Sequence, residues 1–417
     1  MKTKLWKTLT FSSKSVIKDR KQNLVKPPLQ CGKIDKTNKM KNFTVFTALV
    51  FFWLAPSQVS GQQVNVGAVN PWEIFSTVDM EEVSDGGFVL SGYVDNSSPS
   101  GIVVKVSPAG LSLWQKKLGG GTINASTKHN DDVIMVGYEE EGPIAMSINS
   151  SGLENWANSY TFSGRFQLQD VKTDPLGTVF VSGIEDSSYN VVLGDPNTRV
   201  VIIREMIAKM NSSGVPIWSK KTRDLTNRLT SEVQLRSDSV LVFGDSRYFG
   251  EDDISISIYR SSDGALINHL RYYTTVSSNE TFTDVIPYQG GYIVAFESTD
   301  ANQSGGARYT NFVRLDASLN PVGFPWTMVD ASFLGGKLAT NGTDVFLSGS
   351  VGGIGYNASY LAKLNLSTST PSTYWSKSVV YGPSSGPAPY VTSAMITSAG
   401  NVATLANKEN SSFEITT

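Results

Sequence analysis

The chain has 417 residues, 17% charged and 40% hydrophobic, and its 35 basic and 37 acidic side chains nearly cancel at a net charge of -2. That balance joins two unlike parts. Residues 1–61 carry twelve Lys/Arg against Asp19 and Asp35, net +10, leaving 23 basic and 35 acidic residues, net -12, for residues 62–417, a sign that excludes nucleic acid as a partner.

In chain order, residues 1–39 read as a basic leader: a misassigned start, a long n-region, or the cytoplasmic tail of a type II anchor. Residues 40–61 read as a secretory signal. Lys39 and Lys41 supply the charge, Phe43–Ala55 is an uncharged run of thirteen, and Val59, Ser60 and Gly61 suit cleavage before Gln62. A spanning helix needs about 20 apolar residues, so a signal anchor is the weaker alternative and the only membrane contact expected. The expected location is extracellular. The single cysteine, Cys31, lies in the leader, so a chain beginning at Gln62 forms no disulfide.

Residues 62–417 repeat. Asp85-Gly86-Gly87-Phe88-Val89-Leu90-Ser91-Gly92 is followed by Ile102–Val106, a turn, and Leu113–Leu118. The second run returns at Val133–Gly137, Val179–Gly183, Val240–Gly244, Tyr292–Phe296, Val345–Gly349 and, degenerate, Val402–Leu405. A tryptophan recurs at Trp72, Trp114, Trp156, Trp218, Trp326 and Trp375, and the long step from 218 to 326 spans two units, its missing mark falling at Asn268–Arg271. Short β-rich runs separated by Gly, Asn, Asp and Ser, with no helical periodicity, predict four-stranded propeller blades. The first unit places strand a near Thr77–Val83, b at Phe88–Tyr93, c at Ile102–Val106 and d at Leu113–Leu118. The glycine of strand b is expected to spare the neighbouring blade a clash. The chain ends after an a, b and c strand, and Pro71–Phe75 reads as an unpaired d strand. The expectation is an all-β, seven-bladed propeller closed by that N-terminal strand, with no free sheet edges.

The Asp-Gly-Gly-aromatic motif, the Val-Lys-Val strand and Gly-x-x-x-Trp resemble the secreted propeller repeats of exported microbial proteins and, remotely, quinoprotein-like propellers. The resemblance covers about residues 70–417 and implies fold and export, with no activity attached.

Chemistry is sparse. His129 and His269 are the only histidines and no cysteine follows Gln62, so in a chain beginning there neither a zinc site of the usual ligands nor a cysteine nucleophile is available, and no cofactor or metal is implied. No phosphate-binding or Gly-x-Ser-x-Gly motif occurs, and Gly119-Gly120-Gly121 reads as a turn. Turns such as Ser107-Pro108-Ala109-Gly110 before Trp114 resemble the sialidase box, but the aspartate is missing and the tryptophan sits one residue late. Glu139-Glu140-Glu141 and Glu251-Asp252-Asp253 read as solvated charge.

Three consecutive units have long b–c connections, Ile184–Arg199, Asp245–Asp253 and Ser298–Tyr309. They are expected to form one wall with Tyr189, Arg199, Arg247, Tyr248, Phe249, Arg308 and Tyr309 as candidate ligand-binding residues. Ten Asn-x-Ser/Thr sequons, at Asn96, Asn124, Asn149, Asn211, Asn279, Asn302, Asn341, Asn357, Asn365 and Asn410, are about twice the number expected by chance.

The leading reading is a secreted or surface-exposed, monomeric, non-enzymatic binding module for a glycan or an extracellular protein. The first alternative is a carbohydrate-active hydrolase or lyase using Asp79, Glu81, Asp170, Glu232 and Asp284 at the channel mouth. The second is a structural coat or matrix protein.

Overall fold

The computed structural model describes residues 63–66, 75–94, 99–140, 142–160, 165–186, 189–190, 199–200, 203–221, 231–248, 251–272, 278–300, 308–323, 326–327, 333–353, 356–366, 372–380, 390–408 and 412–416. They belong to one compact unit, Val59–Thr417. The earlier unit, Met1–Gln58, which holds most of the expected leader and signal, lies outside the described residues.

The described elements are all β, in seven antiparallel sheets of four strands and one two-stranded hairpin, Tyr189–Asn190 with Arg199–Val200. Six of these blades are each continuous in sequence. The first runs a Phe75–Glu82, b Phe88–Val94, c Ser100–Val106 and d Ser112–Gly120. The second has Thr122–His129, Asp132–Glu139, Gly142–Asn149 and Glu154–Ser159. The third has Arg165–Thr173, Val179–Asp186, Ile203–Met210 and Pro216–Lys221. The fourth has Glu232–Leu235, Ser239–Tyr248, Glu251–Arg260 and Leu266–Tyr272. The fifth has Ser278–Tyr288, Gly291–Asp300, Arg308–Leu315 and Trp326–Thr327. The sixth has Phe333–Thr340, Val345–Gly353, Tyr356–Asn365 and Ser372–Val380.

The expected architecture of seven like blades closed by the tryptophan segment needs correction. Six blades are self-contained, and the remaining sheet is composite. Its strands Tyr390–Ile396, Val402–Lys408 and Ser412–Thr416 are joined by Gln63–Val66, with Gln63 opposite Thr416 and Val66 opposite Phe413. Phe75, the described residue of the segment Pro71–Phe75, is not part of that sheet. Phe75 opens strand a of the first blade, opposite Val94, and Pro71–Ile74 lie outside the described residues. Phe75 reads as the end of one strand but marks the entry to the next.

Strands b and c are buried on both faces, and their residues alternate between two cores. Val89 and Val103 pack toward the second blade with Ile123, Met135 and Ile148, whereas Leu90 and Val104 pack toward the composite sheet with Ala403 and Leu405. Similar clusters lie between blades two and three, three and four, four and five, and five and six. The hydrophobic core is therefore divided among the gaps between sheets, and each blade is stabilised by its two neighbours.

Two sequence marks acquire physical causes. Strand a carries a β-bulge in six sheets, at Thr77/Asp79, Ile123/Ala125, Leu168/Asp170, Phe282/Asp284, Leu334/Gly336 and Val391/Ser393. The recurrent glycine of strand b lies opposite that bulge. A Cβ at Gly137 would run into the Thr122 carbonyl, and one at Gly183 into the Gln167 carbonyl. The glycine thus makes room for its own blade's inner strand, which corrects the expectation that it spares the neighbouring blade.

The tryptophan packs across the gap. Trp114 covers Gly152, Trp156 covers Gly214 and Trp218 covers Gly264, each glycine lying in the c–d turn of the following blade at φ between 69° and 82°. The indoles of Trp114 and Trp218 donate to the carbonyls of Ser150 and Ser261, both at 3.2 Å. The lysine of strand c reaches the same carbonyls, Lys105 at 3.1 Å and Lys209 at 3.2 Å. Lys105 is also paired with Asp85 at 2.5 Å, and this pairing holds the Asp85 carboxyl below the usual carboxylate range. The Asp-Gly-Gly, Val-Lys-Val and Gly-x-x-x-Trp motifs are parts of one blade-to-blade joint.

Candidate functional site

Strand a of every sheet faces the axis, and together they enclose a cavity of about 670 Å³. The inner-strand carboxylates named from sequence converge here: Asp79, Asp170, Glu232 and Asp284 line it, and Glu81 lies two residues beyond Asp79 on the same strand. Sequence reading missed the other polar walls, Asn124, Gln169, Lys172, Gln234 and Lys337, and the aromatic ones, Tyr93 and Phe282. A lysine or amide in a short β run carries no mark of facing an axis.

Three of the carboxylates are occupied structurally, because each bulge turns its aspartate toward the next blade. Asp79 accepts from the Ser126 N–H at 3.0 Å, Asp170 from Val233 at 2.6 Å and Asp284 from Leu338 at 2.5 Å. Between these junctions the bonds run through amides. Asn124 Nδ2 donates to the Leu168 carbonyl at 2.7 Å, and Gln234 Nε2 to the Val285 carbonyl at 3.1 Å. At the ring's seam, Ser393 Oγ donates to Asp79 at 2.8 Å, and Ser398 gives Glu82 its backbone N–H at 2.5 Å and its hydroxyl at 2.8 Å. Charge-assisted bonds of this kind fix the inner ends of the blades.

Glu81 and Glu232 face a different field. Burial, then the Asp79 charge, pushes the Glu81 carboxyl up to about 8. Burial, then Asp284, raises Glu232 well above its ordinary value, outweighing Lys172 and Lys337. For Lys172, burial alone would lower the pKa, but Asp170, Glu232, Asp79 and Glu81 together raise it. The cavity therefore combines aspartates bonded to backbone N–H groups, a lysine 3.7 Å from Asp170 whose charge the surrounding acids favour, and, in Glu81, a carboxyl that keeps its proton at neutral pH and can donate a hydrogen bond. Among the described residues no group of three or more His, Cys, Asp or Glu is arranged to hold a metal ion.

The histidines serve other purposes. His129 packs against the Gly177 turn of blade three. His269 bonds Ser257 Oγ through Nδ1 at 3.0 Å, and Ser257 in turn donates to Glu205 at 3.1 Å. The serine sits between the histidine and the acid and is fully buried, the wrong order and the wrong place for a nucleophile.

The supposed wall is more regular than sequence predicts. Asp245–Asp253 is no loop: blade four stays paired from Asp245 opposite Ile254 through Arg247 opposite Asp252 to Tyr248 opposite Glu251. In blade five, pairing continues through Tyr309 opposite Ser298 to Arg308 opposite Thr299. In blade three, Tyr189 and Arg199 fall in one two-rung hairpin, Tyr189 opposite Val200 and Asn190 opposite Arg199. Phe249 lies outside the described residues. At the root of the blade-four hairpin Asp253 is buried and paired with Arg271 at 2.5 Å, so the expectation of solvated charge fails there.

These features define a β-propeller with a polar axial cavity and raised hairpins on the b–c face. No family profile matches the chain, and no curated protein matches it. Solved propeller structures do. Hydrazine synthase of Kuenenia stuttgartiensis superposes with a TM-score of 0.55 at 11% identity, covering 82% of this chain and 96% of that one. The Dos1 propeller gives 0.48 at 10% identity, covering 86% and 95%, and Drosophila plexin A in complex with semaphorin 1b gives 0.44 at 9%, covering 85% and 88%. At such identities the likeness is one of fold.

Proposed function

We propose that this propeller is an exported, non-enzymatic binding module that holds a glycan or an extracellular protein on its b–c face. One observation carries the reading: the b–c connections of three consecutive blades are paired hairpins. Backbone pairing preorganises those hairpins, which lowers the ordering cost of binding. The named histidines and three of the five inner carboxylates are already engaged in structural contacts, which favours binding over catalysis. The test is capture on a glycan array and against extracellular proteins by the full chain, compared with Arg247→Ala/Tyr248→Ala and with a variant shortened between Tyr189 and Arg199. Capture lost at unchanged melting temperature is expected, and equal capture by all three proteins would refute the reading.

A second reading has its own observation. Glu81, held protonated at neutral pH near Asp79, has the character of a general acid, and Glu232 offers another. A glycoside hydrolase or lyase of this kind would release reducing ends from a polysaccharide panel, and Glu232→Gln would abolish that release. Absence of turnover across the panel leaves the binding module as the better account.

A further inference from the structure

We infer that Asn149, Asn211 and Asn341 are N-glycan acceptors on the face opposite the hairpins, and that the sequon at Asn124 is kept bare by the fold. The inference rests on the export half of the proposed function and is independent of what the b–c face binds.

The c–d turns of blades two and three begin with Asn149 and Asn211, and the a–b turn of blade six contains Asn341. In each, the side-chain oxygen accepts two backbone N–H groups. Asn149 takes those of Ser151 and Leu153, both at 3.0 Å, and Asn211 takes those of Ser213 and Val215 at 3.0 and 2.9 Å. Asn341 takes those of Thr343 and Asp344 at 3.0 and 2.8 Å. An oxygen is all these turns require. Asp174 and Asp316 do the same work with a carboxylate, and Ser107 and Thr397 do part of it with a hydroxyl. The amide nitrogen of the three asparagines is thus surplus to the fold, and no described hydrogen bond uses it.

A second regularity accompanies the first. Two residues after each of these asparagines stands a hydroxyl: Ser151, Ser213 and Thr343. After Ser107, Asp174 and Thr397 the same position holds Ala109, Leu176 and Ala399, and only Asp316 is followed by a serine, Ser318. The hydroxyl follows the amide, as the modification requires and turn geometry does not. Ser151 Oγ in fact lies 2.7 Å from the Asn149 side-chain oxygen. Asn211 and Asn341 are exposed, and Asn149 is partly so.

Asn124 is the opposite case. Its Nδ2 is spent on the Leu168 carbonyl of blade three, its oxygen accepts from Thr122 Oγ1 at 3.1 Å, it lines the axial cavity, and its sequon serine, Ser126, is buried. In the transfer, a bond forms between Asn Nδ2 and the anomeric carbon of a lipid-pyrophosphate-linked oligosaccharide. The bond from that carbon to the pyrophosphate oxygen breaks, one Nδ2 proton is lost, and the lipid pyrophosphate leaves. Transfer precedes folding, so a sugar on Asn124 would stand where blade three must pack. Such chains fail to fold, and exported protein is left with Asn124 bare.

The test expresses the full chain in a secretory eukaryotic cell, then releases glycans enzymatically in heavy-oxygen water so that each occupied asparagine becomes a labelled aspartate. Label at 149, 211 and 341 and none at 124 in the secreted protein is expected. Asn211→Asp, which keeps the turn oxygen as Asp174 does, should lose one glycan's mass at unchanged melting temperature, and Asn124→Gln should leave the number of glycans unchanged. Three bare turn asparagines, an occupied Asn124 in secreted protein, or a chain retained inside the cell by its own leader would each overturn the inference. Failed ligand capture with the expected label pattern would refute only the binding reading.

Discussion

The blades are joined differently at their two ends. At the rim of the first three blades, Trp114, Trp156 and Trp218 each cover a glycine turn of the next blade, and Trp114 and Trp218 donate to its carbonyl. At the axis the joint is made by small polar groups, with Asp79, Asp170 and Asp284 accepting backbone N–H groups across alternate junctions and Asn124 and Gln234 donating across those between. The rim joint is mainly dispersion and burial of the indole, supplemented by hydrogen bonds to the next blade's carbonyl. The axial joint is electrostatic, enclosed and sensitive to protonation. A propeller fastened in both ways can keep a polar cavity at its centre without depending on that cavity for all of its stability.

Replacements that separate the two joints should differ in size. Gly183→Val, which sets a side chain against the Gln167 carbonyl where no flexible group can yield, is expected to abolish the cooperative melt of the whole ring, read by circular dichroism. Trp218→Ala should cost about 3 kcal/mol in urea unfolding, as expected for losing a large packed aromatic, and the loss should not vary with pH. At the seam, Glu82→Ala removes two charge-assisted bonds from Ser398 and should cost roughly 2 kcal/mol; a cost no greater than that of a surface glutamate would show that strand pairing alone closes the ring.

The axial joint also predicts a pH dependence. Glu81 titrates near 8 in the folded protein against 4.5 for the free side chain, so the native state keeps a proton that the unfolded chain releases. Its stabilising contribution is complete below about 4.5 and is lost as pH rises through about 8. The melting temperature should fall across that window, and Glu81→Gln should flatten the decline. A profile identical to that of the original protein would remove Glu81 from the axial field. The smallest effect is expected at the turns, where Asn341→Asp keeps the capping oxygen and should change stability by less than about 0.5 kcal/mol.

The rim was readable in sequence because it uses a rare residue at a fixed place: Trp114, Trp156 and Trp218 and the glycines of the c–d turns mark the repeat directly. The axis was legible only in part. Its carboxylates could be named because an acid within a β run is conspicuous, but Lys172, Asn124 and Gln234 could not, since their direction depends on a bulge that leaves no mark in the inner strand itself. The nearest clue was the glycine of strand b, and it points at the bulge only once the register is known. The closing strand was misplaced because Gln63–Val66 is a weak four-residue run, whereas Trp72 resembles the rim mark.

By itself the sequence determined an all-β repeat of four-stranded blades, the division between a basic N-terminal part and an acidic body, and the absence of thiol chemistry after Cys31. These follow from composition and period, which are local quantities. Only the tertiary structure decided which strand completes the last sheet, which acids are fastened to backbone and which keep protons, and which asparagines retain a spare amide. Each of those depends on what stands opposite a side chain across a gap between blades, and that neighbour comes from a part of the chain roughly fifty residues away or, at the seam, from the other end of the molecule.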